Sequence, residues 1–369
     1  MTRRKKVNFF YFFFIFGKAK RIVRTHIRAE EIIMKNYFLV LGACFALGSC
    51  STGDAGIFAL MMGGSSQALV FNGSKAVSEE EIEFEFSAPV TVRHLRIEPQ
   101  VSIASIEDGS TVRVTLEAGA EPGITLTADI LAEDERRNTI HVLVSFRSRN
   151  NRMPQLVINE LRTENSAPRT EFIEFKMNSD GNLGAMRVFI LGNTNASRQT
   201  IYEFRSAEVK KNDYVVLHLR TVEANSVDEY NGRKDESGGR DSSPTAWDFW
   251  IPGNSKLIHR DASVVYVLDQ DDRVLNAVML SMEALPLWGK DYFAQAAEFL
   301  FNQGAWKSAD GQIPGPADAI RSAGTTNTRT INRSETTANT NTSADWYVTV
   351  TSGLTPGRPN NPNRFGNNR

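Results

Sequence analysis

Glu160, Glu171 and Glu174 stand in two short apolar runs, Leu156–Leu161 and Glu171–Phe175, whose pairing as neighbouring strands would bring carboxylates together. Paired carboxylates serve general acid–base chemistry or hold a cation. Strand alternation puts Glu171 and Ile173 on one face and Phe172 and Glu174 on the other. Two roles follow: satisfying backbone or Arg partners at a sheet edge, or forming a metal or catalytic pair. Asp269, Asp271 and Asp272 imitate the start of a calcium loop, but the sixth-position Gly and the closing Glu are missing. A polar hairpin turn is the plainer reading. Outside the leader the histidines are His94, His141, His218 and His259, and none has the spacing of helical metal ligands. His94 and His141 fall inside strand-like runs and read as sheet positions. There is no HExxH, GxSxG or P-loop pattern. Cys44 and Cys50, the two cysteines, both lie near the N-terminus, which excludes a disulfide scaffold or cysteine zinc site in the body. The sequence therefore predicts no catalytic residues, no metal and no cofactor: a protein that is not an enzyme.

All five tryptophans fall between residues 247 and 346. Trp247, Trp250, Trp288 and Trp306 are the candidate binding residues, as an aromatic platform for sugar rings or a partner protein. The competing reading is that they, with Trp346, pin long loops to the core.

The elements that must position these residues are strands. Glu81–Phe86 alternates strictly, and Val90–Ile97, Thr111–Leu116, Ile124–Leu131 and Thr139–Phe146 follow between turn signals such as Ser87-Ala88-Pro89 and Glu121-Pro122-Gly123. That spacing predicts a first β-sandwich over 68–150. From 153 to 360 come further strand-like runs: Leu156–Leu161, Glu171–Phe175, Leu183–Val188, Tyr202–Arg205, Asp213–Leu217, Val264–Leu268, Val274–Leu280 and Trp346–Val350. The polar turn Asp269–Arg273 makes a hairpin of two of them. The span is large for one sandwich, so insertions are expected at 225–255 and 281–345. Residues 225–245 lack apolar content and read as a mobile loop. Residues 290–302 put Phe293, Ala296, Ala297 and Leu300 on one helical face before Gly304. Residues 322–344 read as an irregular connection, and 361–369 as a disordered tail. The fold expected is all-β, two tandem Ig-like β-sandwich domains, the second with loop and short helical insertions.

The first 49 residues hold 10 Lys and Arg against 2 Asp and Glu; the other 320 hold 32 basic and 41 acidic. An acidic body argues against nonspecific nucleic-acid binding, which draws on cationic side chains to displace counterions. Phe9–Phe16 is too short to span a bilayer. Tyr37–Leu47, after Met34-Lys35, has the length of a signal-peptide core. It ends in Leu47-Gly48-Ser49-Cys50, which resembles the lipobox of bacterial lipoproteins. The resemblance implies that Cys50 is lipidated, with Cys44 the poorer fit and an ordinary secretory signal the alternative. Translation from Met34 would make 1–33 an over-extended N-terminus, 34–49 the signal peptide and 50–67 a tether. The expected place is the bacterial cell envelope, outer membrane or surface, held to the membrane by the N-terminal lipid.

Phe84–Val90, with Glu121-Pro122-Gly123, Asp134 and Arg137-Asn138, resembles bacterial Ig-like domains. Val157-Ile158-Asn159-Glu160, Glu171–Phe175 and Thr355-Pro356-Gly357-Arg358-Pro359-Asn360 resemble lamin tail domains, although Leu183-Gly184-Ala185-Met186 departs from that family's Leu-x-Gly-Trp. Both resemblances imply sandwich modules that bind or space. Three functions fit: a non-catalytic binding, adhesion or structural module with a protein or glycan ligand; a carbohydrate- or cell-wall-binding protein using the tryptophans; and an accessory module of a secreted nuclease or other enzyme.

Overall fold

A computed structural model of the chain describes residues 68–192 and 199–366. The leader, Cys50 and the tether lie outside the described residues. The fold is all-β. The first six strands are β1 (Phe71–Ala76), β2 (Glu81–Glu98), β3 (Ile103–Glu107), β4 (Gly109–Leu116), β5 (Thr125–Asp134) and β6 (Thr139–Arg147). They form one antiparallel ladder, β3-β4-β2-β5-β6, with β1 also on β2. The N-terminal half of β2 pairs with β1 and β4, and from Val90 onward it pairs with β5. The expected turn at Ser87-Ala88-Pro89 is therefore a point inside one long strand where partners change. Ile82, Phe84, Phe86 and Val90 keep one buried face; a register shift between Val92 and His94 moves the phase by one residue, and Ile97 continues it. Val112, Val114 and Leu116 from β4 and Leu126, Ala128, Ile130 and Ala132 from β5 complete this core. Sequence reading missed β1, which is mostly half-buried, and β3, which is mostly exposed; neither gives a clean alternation.

The second module contains β7 (Leu156–Arg162), β8 (Phe172–Met177), β9 (Gly181–Asn182), β10 (Arg187–Leu191), β11 (Thr200–Glu203), β12 (Glu208–Val209), β13 (Tyr214–His218), β14 (Ala246–Trp250), β15 (Ala262–Leu268), β16 (Val274–Ser281), β17 (Ile320–Arg321), β18 (Ile331–Arg333) and β19 (Trp346–Val348). One sheet runs β14-β13-β8-β7-β18-β19, the other β11-β10-β15-β16-β17, and β9 pairs with β12. A single apolar core joins Ile158, Ile173, Phe175, Val215, Leu217 and Phe249 of the first sheet to Val188, Ile190, Val265, Val267 and Val278 of the second. The helix α1 (Asp291–Asn302) buries Phe293, Ala296, Ala297 and Leu300, as its periodicity predicts, and Phe299 packs on Tyr266 of β15.

Several expectations are corrected. The presumed insertion at 225–255 ends in β14, which pairs parallel with β13 and is part of the sheet. The irregular stretch 322–344 contains β18, seated between β7 and β19. The run Leu183–Val188 is a turn leading into β10, with Ala185 at φ 63. The tail is not loose at its start: Phe365 N–H donates to Val348 O (2.8 Å), and the Arg329 guanidinium lies 4.2 Å from the Phe365 ring centroid.

Candidate functional site

The first sheet of the second module has its apolar core on one face and a buried, largely polar set on the other. Pairing registers lay Asn332, Glu160, Glu174, Val216 and Asp248 in one row across five strands. Arg162, Phe172, His218 and Trp250 form the next row. Both rows follow from period-2 alternation: Ile173, Phe175, Val215 and Leu217 face the core, so their neighbours face away from it. A half-exposed antiparallel sheet would leave such residues in water. Here two segments cover them.

The first cover is the C-terminal strap 351–366. Thr355 donates to Glu160 from its backbone N–H (3.1 and 3.2 Å) and from its hydroxyl (3.0 Å). Gly357 N–H donates to Glu174 (2.6 Å), and the Asn360 amide donates to the carbonyl oxygens of Asn159 and Arg333. The three motifs noted in the sequence, around Asn159-Glu160, Glu171–Phe175 and Thr355–Asn360, thus meet at one place. Burial raises the Glu160 carboxyl to about 7, against hydrogen bonds that favour its charged form. The Glu174 carboxyl is also held well above the usual range, first by burial and then by Glu160 beside it. Gly357 is at φ +74, and a Cβ there would come within 2.5 Å of Ser243 Oγ and 2.6 Å of Thr245 Oγ1. Gly357→Ala is therefore expected to cost about 2–4 kcal/mol, combining left-handed backbone strain with the lost contact. Limited proteolysis should then cut within 351–366; an uncut strap with an unchanged melting point would refute the contact.

The second cover is the segment 225–245, which is pinned rather than mobile. Asp241 accepts from Thr170 N–H (2.5 Å) and pairs with the buried Arg162 guanidinium. Glu229 accepts from the N–H groups of Asp248 (2.8 Å), Ser237 (3.0 Å) and Glu236 (3.1 Å), and Asp228 accepts from Trp250 N–H (2.7 Å). These carboxylates close the open edge of β14, where a bare strand would invite pairing with another chain. Burial raises both the Asp228 and Glu229 carboxyls.

Under this cover sits a relay that sequence reading missed. Thr170 Oγ1 lies 3.4 Å from His218 Nδ1, and His218 Nε2 lies 2.8 Å from Asp248 Oδ1. The order hydroxyl–imidazole–carboxylate is that of a nucleophile, base and orienting acid. All three residues are 0% exposed, and Trp250 stacks on the imidazole at 3.7 Å. No substrate reaches a hydroxyl in that position, so the relay fixes the sheet and its covers. His218 and Asp248 fall on outward-facing strand positions, but the parallel pairing of β13 with β14 that unites them has no local signal.

Glu171 satisfies an Arg partner as one expectation had it, though beside the central strand β8 and not at a sheet edge: both its oxygens accept from Arg220 at 2.5 Å. Glu160 and Glu174 are the pair that comes together. Among the described residues, no group of three or more His, Cys, Asp or Glu could hold a metal ion. The calcium-like turn is a hairpin turn in which every carboxylate is engaged. Asp269 accepts from Asp271 N–H (2.8 Å) and Arg273 N–H (3.0 Å), Asp271 pairs with Arg149, and Asp272 with Arg187.

The tryptophan platform is also corrected. Trp247, Trp250 and Trp306 are buried, and their indole N–H groups donate to Asp213 (2.9 Å), Ser237 (2.8 Å) and the Asp318 carbonyl (3.3 Å). Trp288 is partly buried, donates to Pro314 O (3.0 Å) and packs on Phe293. Large rings pin the long connections, and Trp288 also lines a cavity of about 300 Å³.

A second candidate is the joint between modules. Arg149 binds Asp271 through two bonds of 2.6 Å. Asn150 donates to Asn182 O (2.8 Å) and Gly184 O (2.7 Å), while Gln270 and the Asn150 backbone exchange two bonds of 3.0 Å. Arg152 reaches Glu79 (3.3 Å) and Glu208 (2.9 Å). Gly123, at φ +76, sits so close to the second module that a Cβ would lie 2.4 Å from Ala185 N. Arg147 donates to Gly123 O (2.9 Å) and pairs with Glu203. Cavities of about 350 and 680 Å³ lie beside that pair.

The fold and these sites define an all-β protein whose second module buries a polar sheet face under two covers. Residues 154–348, just over half of the chain, match the family model described as TP_1001_2nd, protein second domain, and the chain belongs to that family. An uncharacterized protein of Treponema pallidum (strain Nichols) is 25% identical over 196 residues, 50% of this chain and 48% of that protein. The chain thus matches about half the length of this curated relative. Among solved structures, the N-terminal part of the bacterial S-layer protein SbsC is similar at 12% identity with a TM-score of 0.22, over 59% of this chain and 45% of that one. A DUF4876 family protein from Bacteroides thetaiotaomicron is similar at 11% identity and a TM-score of 0.22, over 52% of this chain and 74% of that one.

Proposed function

We propose that this chain is a lipid-anchored cell-envelope protein whose two β-sandwich modules bind or build rather than catalyse. The observation that supports this best is the sealed polar face. The groups with a chemist's arrangement, Thr170, His218 and Asp248, are wholly buried, and Glu160 and Glu174 are committed to the C-terminal strap. The joint adds to it: six hydrogen bonds around Arg149, Asn150 and Gln270 hold the modules together, as suits a spacer or a presented binding surface. Leu47-Gly48-Ser49-Cys50 supplies the anchor, since several acyl chains on one cysteine, carried by a thioether-linked diacylglyceryl group, give stable membrane attachment.

The test is metabolic labelling with a palmitate analogue in cells making the native chain or Cys50→Ala. The native chain is expected to take up label and to fractionate with membranes, and Cys50→Ala to lose the label. Unlabelled native protein recovered in the cytosol would refute the anchor.

A further inference from the structure

We infer that the cleft at the joint of the two sandwiches binds a polysaccharide chain. This deepens the proposed function and rests on it in one respect, since an envelope location is what brings glycans to the cleft. Ligand sites favour the seams between modules and volumes of about 300–1,000 Å³. The two joint cavities, about 350 and 680 Å³, fall in that range and share Arg147 and Glu203 in their walls. The side chains of that pair are 53% and 32% exposed. An ion pair so exposed to solvent contributes little, so swinging it aside costs little and runs the two cavities into one groove.

The lining chemistry selects the ligand. The larger cavity presents Arg147, Glu203, Arg205, Glu121 and Asn231, planar groups that hydrogen-bond through two atoms at once. Two adjacent hydroxyls on a sugar ring match such groups as donor and acceptor together. Arg205 is held over the Tyr230 ring at 4.0 Å, and among the described residues no carboxylate forms an ion pair with it. Among the described residues its guanidinium donates no side-chain hydrogen bond, and the ring contact holds it at the wall of the cavity. Phe204 is buried beneath, and Ile124 and Tyr230 supply the apolar part of the wall against which a sugar ring can lie.

The experiment uses the purified full chain over immobilised chitohexaose, cellohexaose and polygalacturonate, with polyglutamate as a charge control. The native chain should be retained by at least one glycan. Arg205→Ala combined with Asn231→Ala should weaken that retention at least tenfold with an unchanged melting temperature, and Leu287→Ser, on a remote exposed loop, should leave it intact. Retention by polygalacturonate alone would make the ligand an acidic glycan; retention by a neutral glycan would set the charge aside. Failure to bind any glycan, equal binding by the cleft variant, or retention by polyglutamate alone would each overturn the inference. Palmitate labelling reads the anchor separately, so the failure of one result is not confused with failure of the other.

Discussion

Arg220→Ala should lower folding stability by about 3–5 kcal/mol, the effect of stripping the partner from a buried carboxylate. Glu171 is wholly buried and both its oxygens accept from Arg220, while the same guanidinium holds Asn254 through its carbonyl (3.1 Å) and side chain (3.0 Å). Without Arg220 the carboxylate has neither water nor a cation, and the segment after β14 loses its tie. Replacing both partners together, Arg220→Met with Glu171→Gln, should recover much of the loss, because no unpaired charge is then left inside. Urea denaturation of Arg220→Met, Glu171→Gln and the double variant gives the coupling directly. A loss below about 1 kcal/mol for Arg220→Ala would mean that Glu171 is hydrated, contrary to its burial.

The second large effect is a dependence of stability on pH with an uncommon sign. Most paired carboxylates bind protons less tightly when folded and so protect a protein above their titration range. Glu160 and Glu174 do the opposite, because burial raises both. Their protons favour the folded chain, so the contribution is complete below the ordinary glutamate range and disappears as pH rises through about 7, where Glu160 ionises. Asp228 and Glu229 shift in the same direction, while His259 is lowered by burial and opposes it on the acid side. Between pH 5.5 and 8.5 the melting temperature should fall by roughly 4–8 °C, a change on the order of 2 kcal/mol for a body of this size. Glu160→Gln should remove the part of that slope centred near 7 and leave the part that buried Glu174 carries. An amide oxygen still accepts from Thr355 N–H, and the Thr355 hydroxyl can turn to accept from the new amide nitrogen. A native chain whose melting point is flat or rises across this interval would show that the pair is ionised in the fold.

Much of this architecture is legible from residues alone, and the boundary is physical. Strict alternation in Glu81–Phe86 reports a half-buried strand, and the apolar stripe Phe293, Ala296, Ala297, Leu300 reports a helix, because each signal is local. The all-β class follows from many such runs. The outward faces of Phe172 and Glu174, opposite Ile173, were also legible from period 2. What alternation omits is which strands are neighbours: β18 joins β7 across about 170 residues of chain, and β14 joins β13 in parallel over a long connection. The Glu160–Glu174 pair could be suspected from two adjacent runs, whereas the covers over it could not. Segment 225–245 looks mobile because its polar side chains have no local use; its carboxylates are consumed by N–H groups of a distant strand. The tryptophans misled for a related reason, since composition records that rings are present but not which atoms surround them.

The strap also sets a timetable. Asn159 and Glu160 open the second module, yet the groups that satisfy them, Thr355 and Asn360, come about 200 positions later. A chain without the strap has its central strands but lacks the donors that Thr355 and Gly357 bring to Glu160 and Glu174, so the module closes only once that distant segment docks. Such long-range closure slows folding. Closure of the fold is thereby tied to a segment remote in sequence, and a copy lacking it is left open along its acidic seam, exposed to proteases.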